Sequence, residues 1–87
     1  MNADHLLEQA SAVVGHRRGI YGAPDAVFEH VAMRWSQVLG TRVTPAQVII
    51  CLIDLKIVRV ARDPKHPDSI TDIAGYAGVL AEVLGDA

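Results

Sequence analysis

Cysteine occurs once, at Cys51, which excludes an intrachain disulfide framework and a thiolate zinc cluster. Neither sign of charge is in strong excess: eight Lys and Arg against ten Asp and Glu leave a net charge of −2. The chain therefore has no overall attraction to a phosphate backbone or an anionic membrane, and no nucleic-acid partner is expected. Long apolar runs are missing too. The longest, Val48 to Ile53, is six residues, where a membrane span needs about 20. The first residues, Met1-Asn2-Ala3-Asp4-His5, lack the basic start of a secretory leader. The expectation is a cytoplasmic protein with no membrane partner. Low-complexity tracts and internal repeats are absent, and 87 residues allow one domain, 1–87, which excludes a multidomain enzyme.

What is present is a folding composition, 51% hydrophobic and 21% charged, too apolar for intrinsic disorder. Turn signals divide the chain into four segments of helical periodicity, which predicts an all-α bundle of about four helices. The first helix is predicted from Asp4 to Val14, with Leu6, Leu7, Ala10, Val13 and Val14 on one face and Gly15 as its stop. His16 to Pro24, with its glycines and arginines, reads as a loop. A second helix begins near Asp25, carries the stripe Phe28, Val31, Ala32, Trp35, Val38 and Leu39, and stops at Gly40. Thr44-Pro45 is the clearest helix start in the chain, a side-chain cap followed by a proline tolerated at the first helical position. The third helix runs from there to Ala61. Its apolar residues lie around nearly the whole circumference, which predicts a central helix and a homo-oligomer built through it. Arg62 to Pro67 ends it, and Ser69-Ile70-Thr71-Asp72 opens a fourth helix with capping-box spacing and a seam of Ile70, Ile73, Ala77, Leu80 and Leu84.

The polar residues inside these helices are the candidates for chemistry. Lys56 and Arg59 lie about 60° apart on the third helix, where charge is costly unless paired. They call for a salt bridge to Asp63 or to a carboxylate on the fourth helix, or else for a bound phosphate. Asp68, Asp72 and Tyr76 are spaced i, i+4, i+8 along the fourth helix, as a helix-capping set, as partners for the two cations or as a carboxylate ladder for a divalent ion. His66, before Pro67, sits at a helix N-terminus, where anions are favoured and where it could join Asp68 and Asp72 on a metal. Arg17 and Arg18 beside Tyr21 would bring guanidinium and an aromatic ring to a nucleotide, or form a solvated connection. His5, His16 and His30 read as solvent-facing, Cys51 as a small core residue, and Ser36 and Ser69 lack a nucleophile's setting.

In order along the chain, Arg17 with Tyr21-Gly22, Phe28, Trp35, Lys56-Ile57-Val58-Arg59, His66-Pro67-Asp68-Ser69 and Asp72-Ile73-Ala74-Gly75-Tyr76-Ala77 form a set that resembles a family of small phage and prophage proteins. The segments Lys-x-x-Arg and Asp-Ser-x-x-Asp-Ile-Ala-x-Tyr-Ala also look like the nucleotide-modification-associated helical domain of phages, and more distantly the all-α MazG-type nucleoside triphosphate pyrophosphatases. The resemblance implies a nucleotide or nucleotide-derived small molecule as partner, with Lys56, Arg59, His66, Asp68, Asp72 and Tyr76 as the matched positions and a host-cell cytoplasmic location. The pyrophosphatases hold Mg²⁺ with paired acidic motifs that are absent here, since the only glutamates are Glu8, Glu29 and Glu82. Three functions follow. The first is a non-catalytic nucleotide-binding module, with Arg17, Lys56, Arg59 and His66 on phosphate and Tyr21, Trp35 or Tyr76 on a base, acting on nucleotide pools or a host-defence signal. The second is a Mg²⁺-dependent pyrophosphohydrolase with a reduced ligand set, and the third a structural or interaction protein.

Overall fold

A computed structural model describes residues 1–85 and places them in four α-helices: α1 (Ala3–Tyr21), α2 (Pro24–Leu39), α3 (Pro45–Arg62) and α4 (Ser69–Leu84). α1 begins where the Asn2 side chain accepts the His5 amide at 2.9 Å. The expected stop at Gly15 is overturned: α1 continues through Gly15 and Gly19 to Tyr21, and the predicted loop from His16 is two further turns of helix. A glycine ends a helix by taking a left-handed conformation, and here only Gly22, Gly40 and Gly85 have positive φ, at 88°, 70° and 77°. Interior glycines cost a helix about 1 kcal/mol each relative to alanine, and the Arg18–Glu82 ion pair ties this exposed stretch to α4.

α2 opens with Pro24 at its first position and closes at Gly40. Ser36 then ties the following loop to the helix, its hydroxyl donating to the Ala32 carbonyl at 2.7 Å and accepting the Val43 amide at 2.8 Å. α3 begins with a full capping box, in which Thr44 Oγ1 accepts the Gln47 amide and Gln47 Oε1 accepts the Thr44 amide. The capping box expected at α4 is not formed. Asp68 occupies the N-cap position without a side-chain cap, Ser69 turns inward to His66, and Asp72 crosses to α3.

α4 packs along α3 on one side and α1 on the other, and α2 packs on α3. α1 and α2, joined through Gly22 and Ala23, scarcely touch each other, and they splay over α4. The radius of gyration is 13.6 Å, against about 12 Å for a globule of this length. The described core is correspondingly thin: Ala10, Ala32, Val48, Ile49 and Val79 are its buried apolar residues. α3 is covered on one face only. Val48 and Ile49 are fully enclosed, whereas Ile50, Leu55, Ile57 and Val58 are about half exposed and Cys51, expected in the core, is exposed. The predicted stripes are likewise corrected at their edges. Leu7 on α1, Val38 and Leu39 on α2, and Ile70, Ala77 and Leu84 on α4 face solvent, because each helix meets neighbours over a narrower arc than its apolar pattern spans.

Candidate functional site

The splay of α1 and α2 over α4 leaves a cleft of about 400 Å³, within the range of small-molecule sites. Its wall is mainly apolar: Ala10, Val13 and Val14 from α1, Pro24, Val27 and Phe28 from α2, and Gly75, Tyr76 and Val79 from α4. Arg17, Arg18 and Tyr21, on the last turns of α1, line its cationic side, and Thr71 and Asp72 on the first turn of α4 supply its other polar groups. These positions follow from helical geometry. Residues 10, 14, 17 and 21 recur every three or four positions and so fall on one side of α1, as 72, 75, 76 and 79 do on α4.

The extension of α1 is what brings its arginines to the cleft, since a loop from His16 would not fix them on that face. Arg18 is committed to Glu82 of α4 by an ion pair whose side chains are 47% and 38% exposed. Arg17 has no ion pair among the described residues and lines the cleft with an exposed side chain. The negative end of the α1 dipole lies at this turn and disfavours an anion by some tenths of a kcal/mol, against the stronger, two-pronged attraction of the Arg17 guanidinium.

Lys56 and Arg59 part company. Lys56 points at α4, where Nζ meets Asp72 Oδ2 at 2.9 Å with side chains only 14% and 15% exposed. This is the salt bridge to a carboxylate on the fourth helix that buried charge demands. Arg59, some 60° around α3, is exposed and makes no ion pair among the described residues. A two-cation phosphate site on α3 is therefore not assembled. His66 is half-buried and hydrogen-bonded through Nδ1 to the buried Ser69 Oγ at 2.9 Å, and Asp68 is exposed. The ladder of Asp68, Asp72 and Tyr76 is thus split, with Asp72 on Lys56, Tyr76 in the cleft wall and Asp68 in solvent. Among the described residues no group of three or more His, Cys, Asp or Glu is placed to hold a metal ion.

Of the residues singled out in the sequence, the cleft collects Arg17, Tyr21, Asp72 and Tyr76, with Lys56 behind Asp72, and it leaves out Arg59, His66 and Asp68. Trp35 lies instead in a shallower groove on α2 with His30 and Arg34, which meets the cleft at Tyr21. Sequence reasoning missed Thr71 and Val79 because the apolar seam assigned to α4 is rotated from the face that packs.

Gly75 faces Val14 of α1. A Cβ added there would lie 3.5 Å from Val14 Cγ2, an ordinary contact. Gly75→Ala is expected to raise stability by about 0.5 to 1 kcal/mol through helix propensity, and Gly75→Leu to lose about 1 to 3 by overpacking. Thermal melts of both variants check this, and a destabilised alanine variant would refute the packing described.

Residues 5–84 match the family described as "Domain of unknown function (DUF6378)". The chain is 34% identical over 82 residues to the Gene 55 protein of Mycobacterium phage D29, covering 93% of this chain and 54% of that protein. It is 36% identical over 80 residues to the Gene 55 protein of Mycobacterium phage L5, covering 90% of this chain and 51% of that protein. The chain thus spans about half the length of these curated relatives. No solved structure matches it. No helix among the described residues is long and apolar enough to cross a membrane.

Proposed function

The chain belongs to the DUF6378 domain family and is related to mycobacteriophage proteins, and we propose that it is a nucleotide-binding module whose ligand occupies the cleft between α1, α2 and α4. The observation that carries this reading is the cleft's composition, an apolar, aromatic wall with an uncommitted guanidinium at Arg17. A planar base gains from packing on Phe28 and Tyr76, and a phosphate gains from the forked donors of Arg17 with Tyr21 beside it. Asp72, already holding Lys56, offers a carboxylate to the polar edge of the base. The likeness of the Asp-Ser-x-x-Asp-Ile-Ala-x-Tyr-Ala segment to the phage nucleotide-modification-associated domain supports the same ligand class. Binding without turnover is favoured over metal-assisted hydrolysis, because the cleft is lined by a single carboxylate, Asp72, which is paired with Lys56.

The test is a thermal-shift screen of nucleoside mono-, di- and triphosphates, with Mg²⁺ and with EDTA, followed by calorimetry on the best ligand. A ligand at 100 times its Kd adds about 2.7 kcal/mol to stability, and this is expected with EDTA present. Arg17→Lys should then weaken binding about tenfold or more, since an ammonium keeps the charge but not the two-pronged phosphate contact. Arg59→Lys, outside the cleft, should leave the affinity unchanged. Metal-dependent turnover would favour the pyrophosphohydrolase, and no shift with any nucleotide would overturn the reading.

A further inference from the structure

The outward face of α3 carries a charge pattern that fits a second copy of itself. Ile50, Asp54, Val58 and Arg62 follow one another at i+4 and form a continuous ridge, and all are exposed. Leu55 and Ile57, 47% and 50% exposed, flank the ridge with Cys51 and Ala61. Asp54 and Arg62 make no ion pair among the described residues. They are two turns apart, about 12 Å along the axis, and do not reach each other within one chain. An apolar face of this breadth on a small protein marks a contact surface.

We propose that the protein forms a two-fold dimer in which the α3 helices pack antiparallel with Val58 on the symmetry axis. In an isologous contact, every residue a given number of places before the axis meets the residue as many places after it. With Val58 at the centre, Asp54 of each copy faces Arg62 of the other, and Leu55 faces the small Ala61, where the helices approach closely. The other residues of the ridge fail as centres. A two-fold through Asp54 or through Arg62 sets like charges against each other, and one through Ile50 puts Asp54 opposite Ala46.

The experiment is sedimentation of the whole chain up to high-micromolar concentration, with helix content followed by circular dichroism. The wild type is expected at twice its 9.4 kDa mass. Asp54→Arg and Arg62→Asp should each raise the dimer Kd about tenfold or more by juxtaposing like charges, and the double swap should recover it. Cross-linking supplies a readout that does not depend on the charges. Val58→Cys in a Cys51→Ser background should oxidise to a disulfide dimer. Cys51 of the unmodified chain should not, because the two copies of Cys51 lie about 20 Å apart along the axes, beyond disulfide reach. A monomer at every concentration, single swaps without effect, a double swap that fails to recover, or cross-linking through Cys51 but not position 58 would each overturn the proposal.

Discussion

Asp72→Asn is expected to lower the melting temperature by about 12 to 24 °C. The substitution keeps the side chain's shape but removes the charge that faces Lys56 at 2.9 Å, and both side chains are about 85% enclosed. Breaking a buried pair by neutralising one partner costs about 3 to 5 kcal/mol, because the other charge is left without compensation. The lower end applies here, since a lysine stem can still swing its head toward water. For a domain of this size each kcal/mol is worth about 4 to 8 °C. Lys56→Met combined with Asp72→Leu should recover most of the loss, because the cost lies in the unpaired charge rather than in a missing attraction. The exposed pair Arg18–Glu82 is the control: Glu82→Gln should change stability by less than about 1 kcal/mol. Differential scanning calorimetry of these three variants beside the wild type decides the matter. An unchanged melt for Asp72→Asn would return Asp72 to the role of a first-turn acid, worth some tenths of a kcal/mol.

A second large effect separates two adjacent isoleucines. Ile49 is fully buried and Ile50 is 47% exposed. Ile49→Ala should cost about 2 to 5 kcal/mol through lost burial and the cavity left behind. Ile50→Ala should cost under about 1, since that side chain already meets water and the alanine gains helix propensity. In a domain whose described core is five small or medium apolar residues, the first change leaves little margin, because total stabilities lie near 5 to 15 kcal/mol. Urea titration of both variants checks the contrast. Equal losses would mean that the outer face of α3 is as enclosed as the inner one.

The all-α class was legible because helical periodicity and end signals are local. Thr44-Pro45 starts α3 as read, with Gln47 completing its box, and Gly40 stops α2 as read. Gly15 misled for a physical reason. The stop signal is a backbone conformation, and the same residue type continues a helix wherever its φ stays negative. The misread boundary cost more than two turns of helix, because it made Arg17 and Tyr21 loop residues and hid that they share a face with Ala10 and Val14. In α4 the reverse happened. Ser69 and Asp72 fit a capping box by spacing, yet Ser69 bonds back to His66 in the preceding turn and Asp72 finds a tertiary partner in Lys56, whose charge it compensates.

By itself the sequence determined the quantities that depend on near neighbours: four helical segments, their starts to within a residue, the need of Lys56 for a carboxylate or a bound anion, and a set of candidate polar residues that includes Arg17, Tyr21, Asp72 and Tyr76. The tertiary structure decided which of them meet. It sent Lys56 to Asp72 and left Arg59, about 60° around the same helix, in solvent. It also turned Ile49 inward and Ile50 outward, although both are the same residue on a helix apolar nearly all round. Periodicity fixes the angle between two side chains on a helix, while only the directions from which other helices approach select the angle that is covered.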